Sequence, residues 1–462
     1  MSRPRRLAPW VLLAGVALAS CAPPPRPGTV QAPPVKAPEP STAPVDTTAS
    51  PPPATQPQSQ PPPPEGVPGK EPLLTIGLAW DLDSLTVIPS GPAEVDGPIE
   101  TKLAPGERLS VRRTRHGALC FARGGQKAWQ AAMWRGDTLW LSSTEGAVDA
   151  PTRLFGWNGK TWRGQIKVFL NARGSLTLAT RLPLESYLLG VLPGELGPLT
   201  DELREAGRAQ SIAARSFTLF YTGRRGVEGF DLFSTVEDQV YGSVESERPL
   251  ASECVRSTAG QVAIYDGQPI RANYSSTCGG ITADVWEAWP DPPRPYLLSR
   301  RDAGKGADYC QASPHYRWHE EWSLAEFLGN LKKFGPTYGV PLPAGGMGQL
   351  RDVTVRSRSR SGRVWQLGVT TSTGRVMVPA YSLRQVLRRP GNPNSILRSN
   401  LFKIGVRRDA RGRPLAVVAN GAGSGHGVGL CQTGALGMAR AGIKGEDILR
   451  HYFSAVEIKR QY

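Results

Sequence analysis

The chain contains no Cys-x-x-Cys pair, no strong internal repeat and no recognisable nucleic-acid module, and its one marked apolar run is short. The first absence weakens any zinc-finger reading. The short run cannot comfortably span a bilayer, which takes about 20 apolar residues in succession. The missing nucleic-acid module matters because the formal net charge is +16. The arginines are scattered, so no continuous footprint for a phosphate backbone is legible and nucleic acid is not an expected partner. A basic chain of this kind suits anionic envelope polymers, or simply reflects an arginine-rich composition.

What is present begins at the N-terminus. Arg3, Arg5 and Arg6 precede the apolar stretch Ala8–Leu18, and Leu18-Ala19-Ser20-Cys21 follows. This is the layout of an export signal over residues 1–21. The cysteine at the cleavage point resembles a bacterial lipobox, which makes Cys21 the expected lipidation site. An ordinary signal peptide with Cys21 incidental is the alternative. Residues 22–70 are dominated by proline with Ala, Thr, Ser and Gln. Such a segment has too little apolar content to offset ordering entropy and reads as a disordered linker that holds a folded body away from a membrane. Five further cysteines follow: Cys120, Cys254, Cys278, Cys310 and Cys431. In an exported chain disulfides are allowed, but an odd number leaves at least one thiol unpaired.

The folded part is long enough for two domains. Leu73–Trp80, Arg108–Val111, Ala118–Phe121 and Thr138–Leu141 read as short strands punctuated by Gly, Asp and Pro. They predict a small β-rich flanking domain over residues 71–155. Residues 156–462 mix periods. Trp162–Leu170 and Ser175–Thr180 alternate as strands, and Leu184–Val191 reads as a short helix stopped by Pro193. Thr200 is the expected N-cap of a longer helix ending near Tyr221, with Leu203, Ala206, Gln210, Ala213 and Phe217 on one stripe. Strands recur over Gln261–Tyr265 and Val364–Thr370, and a helix pattern follows Gly434. Irregular mixing of this sort predicts an α+β fold.

Five places carry candidate chemistry. Glu195 lies in Leu192-Pro193-Gly194-Glu195-Leu196-Gly197-Pro198, between the two expected helices and with few charged neighbours in sequence. Desolvation there would raise its pKa and keep a proton available, as a general acid requires. Gln210 is a polar group on an apolar stripe and calls for a buried partner. Asp238-Gln239-Val240-Tyr241-Gly242 sets polar residues beside an aromatic, and Ala272–Thr282 is a glycine turn carrying Cys278. Finally, Gly425-His426-Gly427-Val428-Gly429-Leu430-Cys431-Gln432 holds polar side chains on a glycine frame, as a cleft wall or a tight turn before a helix would.

Taken together these pieces resemble the SpoIID/LytB family, named for a sporulation lytic transglycosylase and an amidase enhancer. The matching motifs are Leu182–Leu188 through Glu195, Ala209–Ser216, Gln239–Gly242, Ser276-Thr277-Cys278-Gly279-Gly280, and Gly425–Gly429 with Gln432 and Gly434-Ala435. They occur in the family's order and cover residues 162–453. The resemblance implies cleavage of peptidoglycan strands between N-acetylmuramic acid and N-acetylglucosamine, with strands stripped of stem peptides preferred. Glu195 matches the essential glutamate. It would protonate the glycosidic oxygen, then assist attack of the muramic C6 hydroxyl on C1 to give a 1,6-anhydro product. One carboxyl can suffice because the substrate supplies the nucleophile, unlike the usual two-carboxylate glycosidase. Glu185 and Asp238 are candidate helpers, and Gln239, Tyr241, His426 and Gln432 are candidate substrate-binding residues.

One departure bears on cofactors. Some members resemble zinc binders through histidine and cysteine near the Cys-Gly-Gly turn, but here Ser275 stands where a histidine is expected. No cofactor is therefore required. A Cys278–Cys310 disulfide is the simpler expectation, and zinc held by Cys278 with Cys310, Cys431 or His426 is the disfavoured alternative. The functional alternatives are a non-catalytic glycan-binding or amidase-enhancing protein, with a cell-wall amidase as partner, and a wall-spanning tether. In each, the chain is exported and lipid-anchored at the cell envelope.

Overall fold

A computed structural model describes residues 69–97, 100–113, 119–124, 130–132, 138–144, 154–304 and 306–462. The expected signal, Cys21 and nearly all of the proline-rich linker lie outside these residues. The fold is α+β. Its largest sheet has seven strands in the order Leu232–Phe233, Leu73–Leu82, Leu176–Pro183, Gln165–Leu170, Thr138–Ser143, Ala93–Asp96 and Thr101–Leu103. Leu73–Leu82 pairs antiparallel with Leu176–Pro183, and Thr138–Ser143 with Gln165–Leu170, so strands from both sides of residue 155 share one sheet. A six-stranded sheet containing Ser84–Pro89, Leu109–Arg113 and Leu119–Arg123 lies beside it. Alternation explains the packing: Val87, Leu109, Val111, Leu139, Leu141, Ile166 and Val168 turn inward into one apolar core.

The described residues include seven helices: α1 Leu184–Leu196, α2 Arg204–Tyr221, α3 Pro249–Ser257, α4 Leu324–Phe334, α5 Ala380–Val386, α6 Gln432–Arg440 and α7 Gly445–Tyr452. None is long and apolar enough to cross a membrane. A further core of Trp322, Phe327, Leu367, Val378, Leu383 and Val417 belongs to residues 317–419.

Three local expectations are corrected. Pro193 does not stop the helix, since α1 continues to Leu196 and ends at Gly197, whose φ is 72°. Pro193 removes only the donor to the Leu189 carbonyl, and it lies in the last turn, where one lost bond is tolerated. Separately, the Gly190 carbonyl accepts from the backbone N–H of Gly242 at 3.0 Å. Thr200 precedes a 3₁₀ turn, Asp201–Leu203, and its side chain makes no capping bond; α2 begins only at Arg204. Gln210 is fully buried, but neither atom of its amide has a protein hydrogen-bond partner.

The long helix α2 buries more than a stripe: Ser211, Arg215, Ser216 and Thr218 are also inside. Ser211, Ser216 and Thr218 return their hydroxyls to the carbonyls one turn back, at 2.8, 2.7 and 2.8 Å. That pairing lets polar side chains sit in a dry interior without leaving donors unmet.

Candidate active site around Glu195

Glu195 sits in the last turn of α1, not in a loop between helices. Glycines determine what comes close to it. A β-carbon at Gly190 would lie 2.6 Å from the Tyr241 ring, and one at Gly194 would lie 3.1 Å from Val240. These two positions share a face of α1, so the segment Val240-Tyr241-Gly242 packs directly against the helix backbone. The backbone N–H of Val240 consequently donates to Glu195 Oε1 at 3.0 Å.

The second oxygen is reached from the far end of the chain. Gln432, the first residue of α6, donates from Nε2 to Glu195 Oε2 at 3.1 Å. Its place is set by a short parallel pairing in which Tyr274 faces Leu430 and Ser275 faces Cys431. Gly427 and Gly429 have φ of 80° and 72°, and a side chain at Gly429 would collide with the Asn273 carbonyl. The glycines of the histidine turn thus allow two backbones to touch.

Tyr274 completes the carboxylate's surroundings. Its hydroxyl accepts from Gln239 Nε2 at 2.9 Å and lies beside Glu195, where it lowers the carboxyl's pKa. Gln239 Oε1 lies 2.7 Å from Thr218 Oγ1, whose one proton is shared between it and the Ala214 carbonyl. Burial raises the Glu195 pKa above the ordinary carboxyl value. The Val240 N–H, Gln432 and Tyr274 oppose that rise without cancelling it. The residue as a whole remains half-buried, so its carboxyl is desolvated but not sealed away.

The other candidate residues separate by role. Gln239 is fully buried and Tyr241 is 5% exposed, so both stand behind Glu195 instead of lining an open wall. Tyr241 packs on Trp162 and Tyr187, with ring centroids 5.7 and 5.1 Å apart. His426 and Gln432 are half-buried. His426 Nδ1 accepts from the Val428 N–H at 3.0 Å, and its ring lies 4.8 Å from that of Trp289. Burial, reinforced by Arg384 and Arg271, holds the His426 pKa down to about 3, so this imidazole is neutral at ordinary pH.

Neither proposed carboxylate helper is available. Glu185 is engaged by Arg215 Nε and Nη2 at 2.8 and 2.7 Å, by the Gly260 N–H and by the Tyr462 hydroxyl. Asp238 is fully enclosed, accepting from Arg225 Nε at 3.0 Å and from the Phe233 N–H at 2.9 Å. Both hold the scaffold together.

Cys278 and Cys310, the expected disulfide partners, carry separate thiols with their sulfurs 3.8 Å apart. Cys431 and Asp302 join them, and the four candidate ligand atoms all lie within 4.8 Å of one another. Three sulfurs and a carboxylate oxygen form a donor set that zinc accepts. Asp302 had no signal in the sequence, and Tyr274, although inside a noted segment, was not singled out.

Comparisons with known proteins show what the chain is similar to. Residues 172–265 match the SpoIID family model, described as stage II sporulation protein. The chain thus carries a SpoIID-family segment. Stage II sporulation protein D of Bacillus subtilis is 28% identical over 292 residues, covering 60% of this chain and 74% of that protein. The amidase enhancer of the same organism is 28% identical over 301 residues, 58% of this chain and 39% of the relative. An uncharacterised protein of Brachyspira hyodysenteriae is 27% identical over 315 residues, covering 68% of this chain and 76% of its own length. Residues 303–429 match a domain of unknown function. Glu195, Gln239 and Tyr241 fall in the first matched segment and His426 in the second, while Cys431 and Gln432 lie just beyond it.

Proposed function

We propose that this SpoIID/LytB protein is a peptidoglycan lytic transglycosylase of the cell envelope with Glu195 as its single acid/base group. The observation that carries the reading is the Glu195 carboxyl itself. Burial favours its protonated form, its hydrogen-bond partners are a backbone N–H, an amide and a phenol, and no second carboxylate is among them. A protonated Glu195 gives its proton to the bridging oxygen as the bond from muramic C1 breaks. The resulting carboxylate takes the proton of the muramic C6 hydroxyl as that oxygen bonds to C1. The acid is regenerated, no water is consumed, and the product ends in a 1,6-anhydro ring. Gln432, Tyr274 and the Val240 N–H are well placed to steady the carboxylate between the two steps. His426, being neutral, contributes a polar wall and no proton.

The compartment follows from the same reading: export by residues 1–21, anchorage through Cys21 and reach through the proline-rich linker. The match to an amidase enhancer favours one alternative, in which the cleft binds glycan without cutting it and recruits a cell-wall amidase. The test is to incubate the purified chain with glycan strands free of stem peptides and to weigh the products. New anhydro-muramyl ends that are lost in Glu195→Gln support the enzyme. Retention of strands with no new ends supports the binding protein.

A further inference from the structure

We propose that Cys278, Asp302, Cys310 and Cys431 form a closed zinc site that fastens the start of α6 and so sets the position of Gln432. This proposal stands apart from the transglycosylase reading, because it rests on donors none of which touches Glu195.

Geometry comes first. Zinc–thiolate bonds are about 2.3 Å long, so two sulfurs on a tetrahedral ion sit about 3.8 Å apart. The Cys278 and Cys310 sulfurs are 3.8 Å apart. A disulfide would require about 2.05 Å. The remaining candidate ligands, the Cys431 sulfur and an Asp302 oxygen, fall within the same 4.8 Å cluster. Four donors with this spread can surround one ion.

The surroundings are those of ligands, not of idle thiols. The Cys431 sulfur accepts backbone N–H groups from Cys278 at 3.2 Å and Gly434 at 3.3 Å. The Asp302 carboxyl accepts from the Tyr452 hydroxyl at 2.5 Å and from the Cys310 N–H at 2.9 Å. Donors of this kind orient thiolate and carboxylate ligands and support their negative charge. All four residues are buried, where several ionisable groups without a shared counter-charge are costly. Borderline-soft zinc suits a sulfur-rich set with one oxygen.

The ligands come from separate parts of the chain. Cys278 belongs to the Cys-Gly-Gly turn, Asp302 and Cys310 to the segment leading into the 317–419 core, and Cys431 caps α6. Cys431 is followed immediately by Gln432, the donor to Glu195. With four protein ligands no coordination position remains for substrate or water, so the ion is structural. Ser275, standing where a histidine was expected, is not among the ligands; Asp302, Cys310 and Cys431 make it unnecessary. Binding releases the ligand protons to solvent and changes no oxidation state.

The experiment uses the full chain, purified without chelator. Metal analysis is expected to find about one zinc per chain. Exchange for cobalt(II) should produce the thiolate-to-cobalt charge-transfer band and the intense visible bands of a tetrahedral sulfur site. In denaturant with EDTA and no reductant, Cys120, Cys254, Cys278, Cys310 and Cys431 should all titrate as thiols. Asp302→Asn keeps the size and the hydrogen-bonding capacity and should weaken zinc at least ten-fold, while Cys254→Ser should leave zinc content unchanged. Chelation should lower the melting temperature and added zinc should restore it. Absence of both zinc and the cobalt spectrum in folded wild-type protein overturns the proposal. So does the loss of two titratable thiols to a Cys278–Cys310 disulfide.

Discussion

Gln432 donates to Glu195 across 237 positions of sequence, at 3.1 Å, and so joins the last turn of α1 to the first residue of α6. Such a bond stabilises the carboxylate and fixes its direction without adding charge. Gln432→Ala should therefore lower kcat on the order of 10²-fold, because a misdirected acid loses the benefit of orientation. It should also move the alkaline limb of the rate profile upward, since one of the donors that lowers the Glu195 pKa is gone. Steady-state rates measured across pH decide it. A fall in kcat with an unmoved limb would mean that Gln432 acts only on substrate.

Glu195→Gln tests the cost of keeping an acid in a desolvated place. Burial raises the folded-state pKa of Glu195, so the native state holds this proton more tightly than the unfolded chain does. That contribution to stability is full below the ordinary carboxyl value and is lost as pH rises through the raised one. The glutamine variant escapes the loss and should melt above wild type at neutral and alkaline pH, the gap narrowing on acidification. Activity should fall roughly 10²–10⁴-fold. Melting curves at several pH values check the claim, and a gap independent of pH would sink it.

The meeting of Glu195 and Gln432 was legible in the sequence because a chemical type and an ordered motif coincide at both. The site was illegible where tertiary contact alone assigns the role. Gln239 reads as a cleft residue in sequence, but its amide is consumed by Thr218 and Tyr274 and serves to aim the tyrosine. Asp238 and Glu185 read as spare carboxylates because their arginine partners, Arg225 and Arg215, are not marked as such in sequence. The rule that proline ends helices failed at Pro193 because it sits in the last turn, where only the Leu189 carbonyl loses its donor. The α+β class survived these local errors because it depends on strand and helix periods, which many residues share.

Gly190→Ala sets two effects of opposite sign against each other. Helix propensity favours alanine by up to about 1 kcal/mol. At this position the new methyl would lie 2.5 Å from the Gly242 carbonyl oxygen and 2.6 Å from the Tyr241 ring, and overpacking costs about 1–3 kcal/mol. Packing should win, with a net loss near 1–2 kcal/mol and reduced activity, because the Val240 N–H is pushed from Glu195. Gly329 in α4 is the control: nothing lies within 4 Å of an added methyl, so alanine there should stabilise. Urea unfolding of the two variants gives the comparison.

Asp238→Asn separates scaffold from chemistry. The Asp238 side chain is fully enclosed and holds Arg225, Arg224 and the Phe233 N–H, close in sequence to Gln239 and Val240. Removing its charge leaves the partly buried Arg225 only the longer contact to Glu237 at 3.9 Å. The loss should be on the order of 2–3 kcal/mol, below that for a fully buried pair because Arg225 reaches solvent. Asp238 is not among the groups that surround the Glu195 carboxyl, however, and those groups are unchanged. The folded variant should therefore retain kcat within about three-fold below its melting transition, a difference too small for the loss of a general base. A drop of 10²-fold in folded protein would restore Asp238 as a second catalytic carboxylate and end the single-acid account of Glu195.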